Sequence, residues 1–166
     1  MNLGIKNKNV LITGASQNIG KSIAINMARE GCNIAICARN KEKLYDVVSE
    51  MKQYGGGYHS INIDLRSKKG PSQLIKELGL KNFIPDIVIH NLGGSLQITS
   101  QDFSREEFAD VWQFNIGIAH EINKELIPNM IKNKWGRIIH VSSLAAKTAK
   151  GYVPYVSAKF ALEGYV

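Results

Sequence analysis

Tyr155 and Lys159 stand four residues apart near the end of this 166-residue chain, in the stretch YVSAKFALEGYV. On a helix that spacing puts both side chains on one face. An ammonium beside a phenol favours the phenolate, so a tyrosine placed there can give its proton to a carbonyl oxygen while hydride reaches the carbon. The pair alone is a common coincidence. It gains meaning from Ser142 and Ser143 upstream, where a hydroxyl can hold the same oxygen. Asn115 adds to it, as an amide set in the apolar helical stripe of Phe108, Val111, Trp112, Ile116, Ala119 and Ile122. A buried amide needs partners, because leaving it unpaired costs about 1–3 kcal/mol. An amide that ties down a neighbouring loop accounts for Asn115 equally well. Tyr152 lies seven residues before Lys159, but the sequence places the helix start after Pro154, which favours Tyr155.

A second group of residues suits phosphate. VLITGASQNIGKSIA reads as a strand, a glycine turn and a helix start, in that order. Free N–H groups at a helix N-terminus cradle an anion, helped by the helix dipole. Gly14 permits the tight turn and Gly20 lets the helix pack closely, while Asn18 tolerates positive φ better than most residues. An ordinary strand-to-helix turn is the plain alternative. At the end of the second strand, Ala38 precedes Arg39 where an acid would accept hydrogen bonds from a ribose 2′-OH. Arginine instead forks onto a phosphate with paired bonds. Taken alone, Arg39 is equally a surface residue at a strand end.

Alternating elements must hold these groups. Val10 to Thr13, Asn33 to Ala38, Tyr58 to Ile63, Ile87 to His90 and Arg137 to Val141 read as strands. Helical patterns run from Ile19 to Gly31, Glu42 to Tyr54 and Pro71 to about Leu80, and onward from Tyr155. Ser104 and Glu107 have the capping-box form and open a long helical pattern to Asn133, with a bend near Pro128. Such alternation predicts a parallel sheet with helices on both faces, in one α/β domain over 1–166.

Bulk properties narrow the partners. Twenty-one Lys and Arg against fourteen Asp and Glu leave +7, which favours anionic partners. The basic residues are scattered, with no long tract or aromatic interleaving, so neither nucleic acid nor a membrane surface is expected. No apolar run approaches the ~20 residues of a membrane span, and no leader pattern opens the chain, so the cytoplasm is the expected place. Cys32 and Cys37 lie on or beside one strand and read as reduced core thiols. No metal-ligand spacing occurs.

The order of these motifs resembles the short-chain dehydrogenase/reductase family over nearly the whole chain, with a 3-oxoacyl carrier-protein reductase look. Thr13, Gly14 and Gly20 match its T-G-x-x-x-G-x-G turn, with Asn18 in the middle glycine's place. Asn91 and Gly93 in IVIHNLGG are similar to its N-N-A-G element, from which His90 and Leu92 depart; His90 reads as a polar strand-end residue rather than a catalyst. The resemblance implies a Rossmann-type doubly wound sheet of strand order 3-2-1-4-5. It implies a catalytic set of Asn115, Ser143, Tyr155 and Lys159, with Asn115 behind the lysine on a water-linked proton path. Strand alignment selects Ser143; counting thirteen residues back from Tyr155 selects Ser142.

It further implies a cofactor held by Gly14, Ser16, Gln17, Asn18, Ile19, Gly20, Arg39, Asp64, Leu65, Asn91, Gly93, Tyr155 and Lys159. Asp64 and Leu65 would border the adenine, and Lys159 the nicotinamide ribose. Arg39, the missing acid and the positive charge favour NADP(H) over NAD(H). The implied reaction reduces a carbonyl compound, such as a ketone or 3-oxoacyl thioester, in a homodimer or homotetramer. Family members continue well past Y-x-x-x-K, so the chain reads as a C-terminally incomplete fragment or a short variant. A non-catalytic NADP(H)-binding regulator on the same scaffold is the rival expectation.

Overall fold

The computed structural model describes residues 3–98 and 100–166. Its five strands are β1 (Asn9–Thr13), β2 (Asn33–Ala38), β3 (Tyr58–Asn62), β4 (Ile87–His90) and β5 (Arg137–His140). All pair in parallel in the order β3-β2-β1-β4-β5, as the motif order implied. Alternation along each strand sends residues to two cores. Val10, Ile12, Ile34, Ile36, Ile87 and Ile89 pack on one face beneath α1 (Asn18–Arg29) and α2 (Lys41–Met51). Leu11, Ala35, Cys37, Ile61 and Val88 pack on the other beneath α3 (Gly70–Leu80) and α5 (Ile118–Lys132). Each fully buried Leu or Ile contributes about 1.5–3 kcal/mol, so the central strands dominate the stability. Cys32 and Cys37 are free and buried, and burial pushes the Cys37 thiol up to about 12.

Local chemistry sets the element ends. The Asn40 side chain accepts from the Lys43 N–H at 2.8 Å and opens α2 one residue earlier than the apolar stripe implied. That helix ends at Met51, and Lys52–Tyr54 continues as a 3₁₀ turn that closes on left-handed Gly55. The capping box forms as expected: Ser104 Oγ accepts from the Glu107 N–H at 3.1 Å, and Glu107 Oε2 accepts from the Ser104 N–H at 2.7 Å. It starts α4 (Arg105–Trp112).

Three expectations need correction. The long helical pattern is interrupted by a π-helical turn at Gln113–Gly117, centred on Asn115, while Pro128 lies inside α5. The cause is local: Asn115 Nδ2 donates to the Val111 carbonyl at 2.8 Å, in the ladder of its own helix. The last helix, α7 (Val153–Tyr165), starts before Pro154 rather than after it, because a first-turn proline gives up no needed N–H. Lastly, β5 stops at His140, one residue short of the expected Val141, and Ser142 and Ser143 sit in the loop to a short helix, α6 (Ala145–Thr148).

Candidate active site

The sheet order reverses between β1 and β4, and a cleft opens at the carboxyl ends of the strands there. Its volume is about 410 Å³. Gly14, Ser16 and Gln17 line it after β1, Arg39 and Asn40 after β2, Asp64 and Leu65 after β3, and Leu92 and Gly93 after β4. The floor of the turn admits no side chains. Gly14 holds φ +66°, and a Cβ at Gly20 would lie 2.5 Å from the Gly14 carbonyl and 2.8 Å from Ala15 Cα. Asn18 takes the positive φ expected of it, 50°, directly at the start of α1. Bare backbone at a helix N-terminus, with Arg39, Lys43 and Arg66 around the rim, suits an anionic, phosphate-bearing ligand.

Seven of the sequence-selected residues line this cleft: Gly14, Ser16, Gln17, Arg39, Asp64, Leu65 and Gly93. Asn91 joins them from beneath: its side chain donates to the Gly14 carbonyl at 2.9 Å and clips β4 to the turn. Asn18 and Ile19 line the outer surface of α1 instead, and Ile19 is 61% exposed. At Asp64, burial pushes the carboxyl up, but the Arg66 guanidinium and N–H and the Arg39 charge outweigh it, leaving the group below its ordinary range. Lys43, absent from the sequence reading, lines the same wall and donates to Gln17 Oε1 at 2.7 Å. The signal was available, since Asn40 caps α2 and puts Lys43 in its first turn beside the glycine loop. Phe114, from the π turn, closes the far side.

Lys159 is buried at 4% exposure and donates to the Val141 carbonyl at 3.0 Å. Burial lowers its pKa from the ordinary lysine value. Its ammonium lies 5.9 Å from the ring centroid of half-buried Tyr155, one turn back on α7. Asn115 Nδ2 also donates to the Gly94 carbonyl at 2.9 Å, and Asn115 Oδ1 accepts from the Gly94 N–H at 3.1 Å. A Cβ at Gly93 would lie 2.7 Å from Asn115 Oδ1 and 3.1 Å from Lys159 Nζ, so amide and ammonium flank this cleft residue.

The two serines differ in what they bond. Ser142 Oγ donates to Glu163 Oε1 at 3.0 Å, whereas Ser143 Oγ accepts from the Ala145 N–H at 3.2 Å. His90 is buried and bonded through Nε2 to Asn123 Oδ1 at 2.7 Å, a partner 33 residues away that local sequence could not supply. Its ring stacks on His140 at 4.7 Å between centroids.

A family model described as short chain dehydrogenase matches residues 8–166. The chain is 33% identical over 164 residues to a fatty acyl-CoA reductase of Acinetobacter baylyi, covering 97% of this chain and 56% of that protein. A 3-oxoacyl-[acyl-carrier-protein] reductase of Staphylococcus aureus is 30% identical over 159 residues, covering 95% and 65% respectively. Among solved structures, L-sorbose reductase of Gluconobacter frateurii, complexed with NADPH and L-sorbose, superposes with a TM-score of 0.91 at 26% identity. That match covers 99% of this chain and 64% of the reductase. The chain thus spans less than two thirds of the length of each of these relatives.

Proposed function

This chain belongs to the short-chain dehydrogenase family, and on that premise we propose that it is an NADPH-dependent reductase converting a carbonyl compound to an alcohol. One observation carries the reading: the Lys159 ammonium and Asn115 amide flank Gly93 at the cleft, with Tyr155 one turn away on the same helix. When bound, the cofactor supplies hydride. The glycine turn would hold its pyrophosphate, Asp64 and Leu65 its adenine, and Arg39 with Lys43 its 2′-phosphate. The phenol of Tyr155 gives its proton to the carbonyl oxygen, and Ser143 donates a hydrogen bond to that oxygen. Lys159 would compensate the negative charge left on the phenol oxygen and would hold the nicotinamide ribose. Asn115 fixes the Gly94 backbone in the loop after β4.

Charge and cofactor choice run together here. No carboxylate stands at Ala38 or Arg39 to repel a 2′-phosphate, and two cations face that wall. This supports NADP(H) over NAD(H). The named relatives act on acyl thioesters and a sugar, so the substrate class we propose is a carbonyl, with a 3-oxoacyl thioester as the leading member. Among the described residues no helix is long and apolar enough to cross a membrane. A cytoplasmic homodimer or homotetramer, formed by one dinucleotide-binding domain per chain, completes the proposal.

Parallel titrations with NADPH and NADH, followed by nicotinamide fluorescence, test it, with Tyr155→Phe as the chemical control. A reductase binds NADPH more tightly and loses turnover in the variant while keeping cofactor. Tighter NADH binding overturns the cofactor assignment. Cofactor binding with no turnover in the unaltered chain, across ketone and 3-oxoacyl substrates, leaves the non-catalytic binder standing instead.

A further inference from the structure

Glu163 continues the line of Tyr155 and Lys159 at the same four-residue spacing on α7. Each of the last two grips a consecutive residue at the end of the sheet: Lys159 holds the Val141 carbonyl at 3.0 Å, and Glu163 holds the Ser142 hydroxyl at 3.0 Å. The second oxygen of Glu163 takes Lys147 at 2.6 Å, from the short helix α6 on the far side of Ser143. One carboxylate therefore fastens both ends of the loop that carries the two candidate serines.

We propose that Glu163 is a positioning residue, which commits the Ser142 hydroxyl and leaves Ser143 as the one that binds the substrate oxygen. The proposal rests on the reductase reading above. A serine has one hydroxyl proton. Ser142 spends it on Glu163 and has none left for a carbonyl oxygen. Ser143 uses its oxygen as an acceptor from the Ala145 N–H, so its own proton stays available in that bond pattern. Hydrogen bonds from Lys147 and then Ser142 hold the Glu163 carboxyl below its ordinary range, so both its oxygens act as acceptors at neutral pH. The choice between the two serines, which counting residues left open, is made by a residue outside the Asn115, Ser143, Tyr155, Lys159 set.

Two measurements on the full chain decide it: NADPH-dependent turnover of ketone and 3-oxoacyl substrates, and amide hydrogen exchange of residues 142–149. Glu163→Ala is expected to lower kcat on the order of 10- to 100-fold through misplacement of Ser143, with the Kd for NADPH within about twofold. Exchange across 142–149 should accelerate in the same variant. Glu163→Gln keeps an acceptor for Ser142 and should restore most of kcat, which loss of helix stability alone would not predict. Ser143→Ala should remove turnover by on the order of 100-fold, Ser142→Ala much less, and Ser142→Ala should add little in a Glu163→Ala background. Equal losses from the two serine variants overturn the proposal, as does unchanged exchange in Glu163→Ala. Absence of turnover in the unaltered chain overturns the reductase reading instead, and the exchange result then still decides whether Glu163 holds the loop.

Discussion

The Lys159 ammonium is fastened to the Val141 carbonyl across 3.0 Å, so the helix that carries Tyr155 is pinned to the end of β5 by a buried charge. Burying an ammonium is costly, and one carbonyl offsets that cost only in part. Lys159→Met should therefore remove reductase turnover and weaken NADPH binding while leaving the melting temperature within about 4 °C, a shift of about 1 kcal/mol for a chain of this size. A calorimetric scan beside an activity assay separates the two effects. A large fall in melting temperature would show that the ammonium is structural first.

Asn115 makes the opposite prediction. Its amide satisfies the Val111 carbonyl in its own helix and both polar groups of Gly94 in the cleft loop. Asn115→Leu keeps the approximate volume and strands all three, at about 1–3 kcal/mol for each backbone group that water cannot reach. Denaturant unfolding should show a clear drop in midpoint, and turnover should fall with it. An unchanged midpoint would mean that the π turn forms without the amide.

On the proposed NADPH reading, the 2′-phosphate would meet two side chains. Arg39 is exposed just past β2, and Lys43 is in the first turn of α2 with its ammonium on Gln17. Arg39→Ala should weaken NADPH binding on the order of 10-fold, as expected for one charge-assisted contact, with little change for NADH. Lys43→Ala should add to it, and raising the salt concentration should shrink both effects. Titrations of both nucleotides with the two single variants and the double variant check this. Equal losses for NADPH and NADH would move both residues away from the 2′-phosphate.

Glycine spacing and strand-to-helix alternation were legible from the chain because each depends on neighbours in sequence. Gly14 and Gly20 sit where a turn of that length must tighten, and the apolar runs alternate as a doubly wound sheet requires. What escaped was set by side-chain bonding, near and far. The π turn follows from the Asn115 bond to the Val111 carbonyl in its own helix, while the same amide reaches Gly94, 21 residues back. The differing hydrogen bonds of Ser142 and Ser143 include one to Glu163, 21 residues beyond Ser142. Lys43 went unseen because helix phase, fixed by the Asn40 cap, decides which of several basic residues faces the cleft. Asn18 and Ile19 carry the turn's geometry in their backbones, and their side chains point away from the cleft, which a motif match does not distinguish.

The stacked pair His90 and His140 predicts how stability changes with pH. Burial is the largest influence on His90, outweighing the Asn123 hydrogen bond and joined by the neighbouring His140, and its pKa falls from 6.5 to about 4. His140 is lowered as well, by burial and by the Lys159 charge. Both rings thus favour the neutral form more in the fold than in the unfolded chain, where imidazoles take up protons near pH 6.5. Between pH 6.5 and about 4 the unfolded state binds more protons, so stability rises with pH across that window and is lost as pH falls through it. For His90 alone the full effect is about 3 kcal/mol at most, reached only near its lowered pKa. Denaturant midpoints measured from pH 7.5 down to 4.5 should fall steadily. His90→Asn, which cannot titrate, should flatten much of that slope, while the separation of the two curves should close at high pH only if the amide replaces the bond to Asn123. A midpoint in the unaltered chain that stays level from pH 7 to pH 5 would mean that the pair is solvated enough to charge without cost.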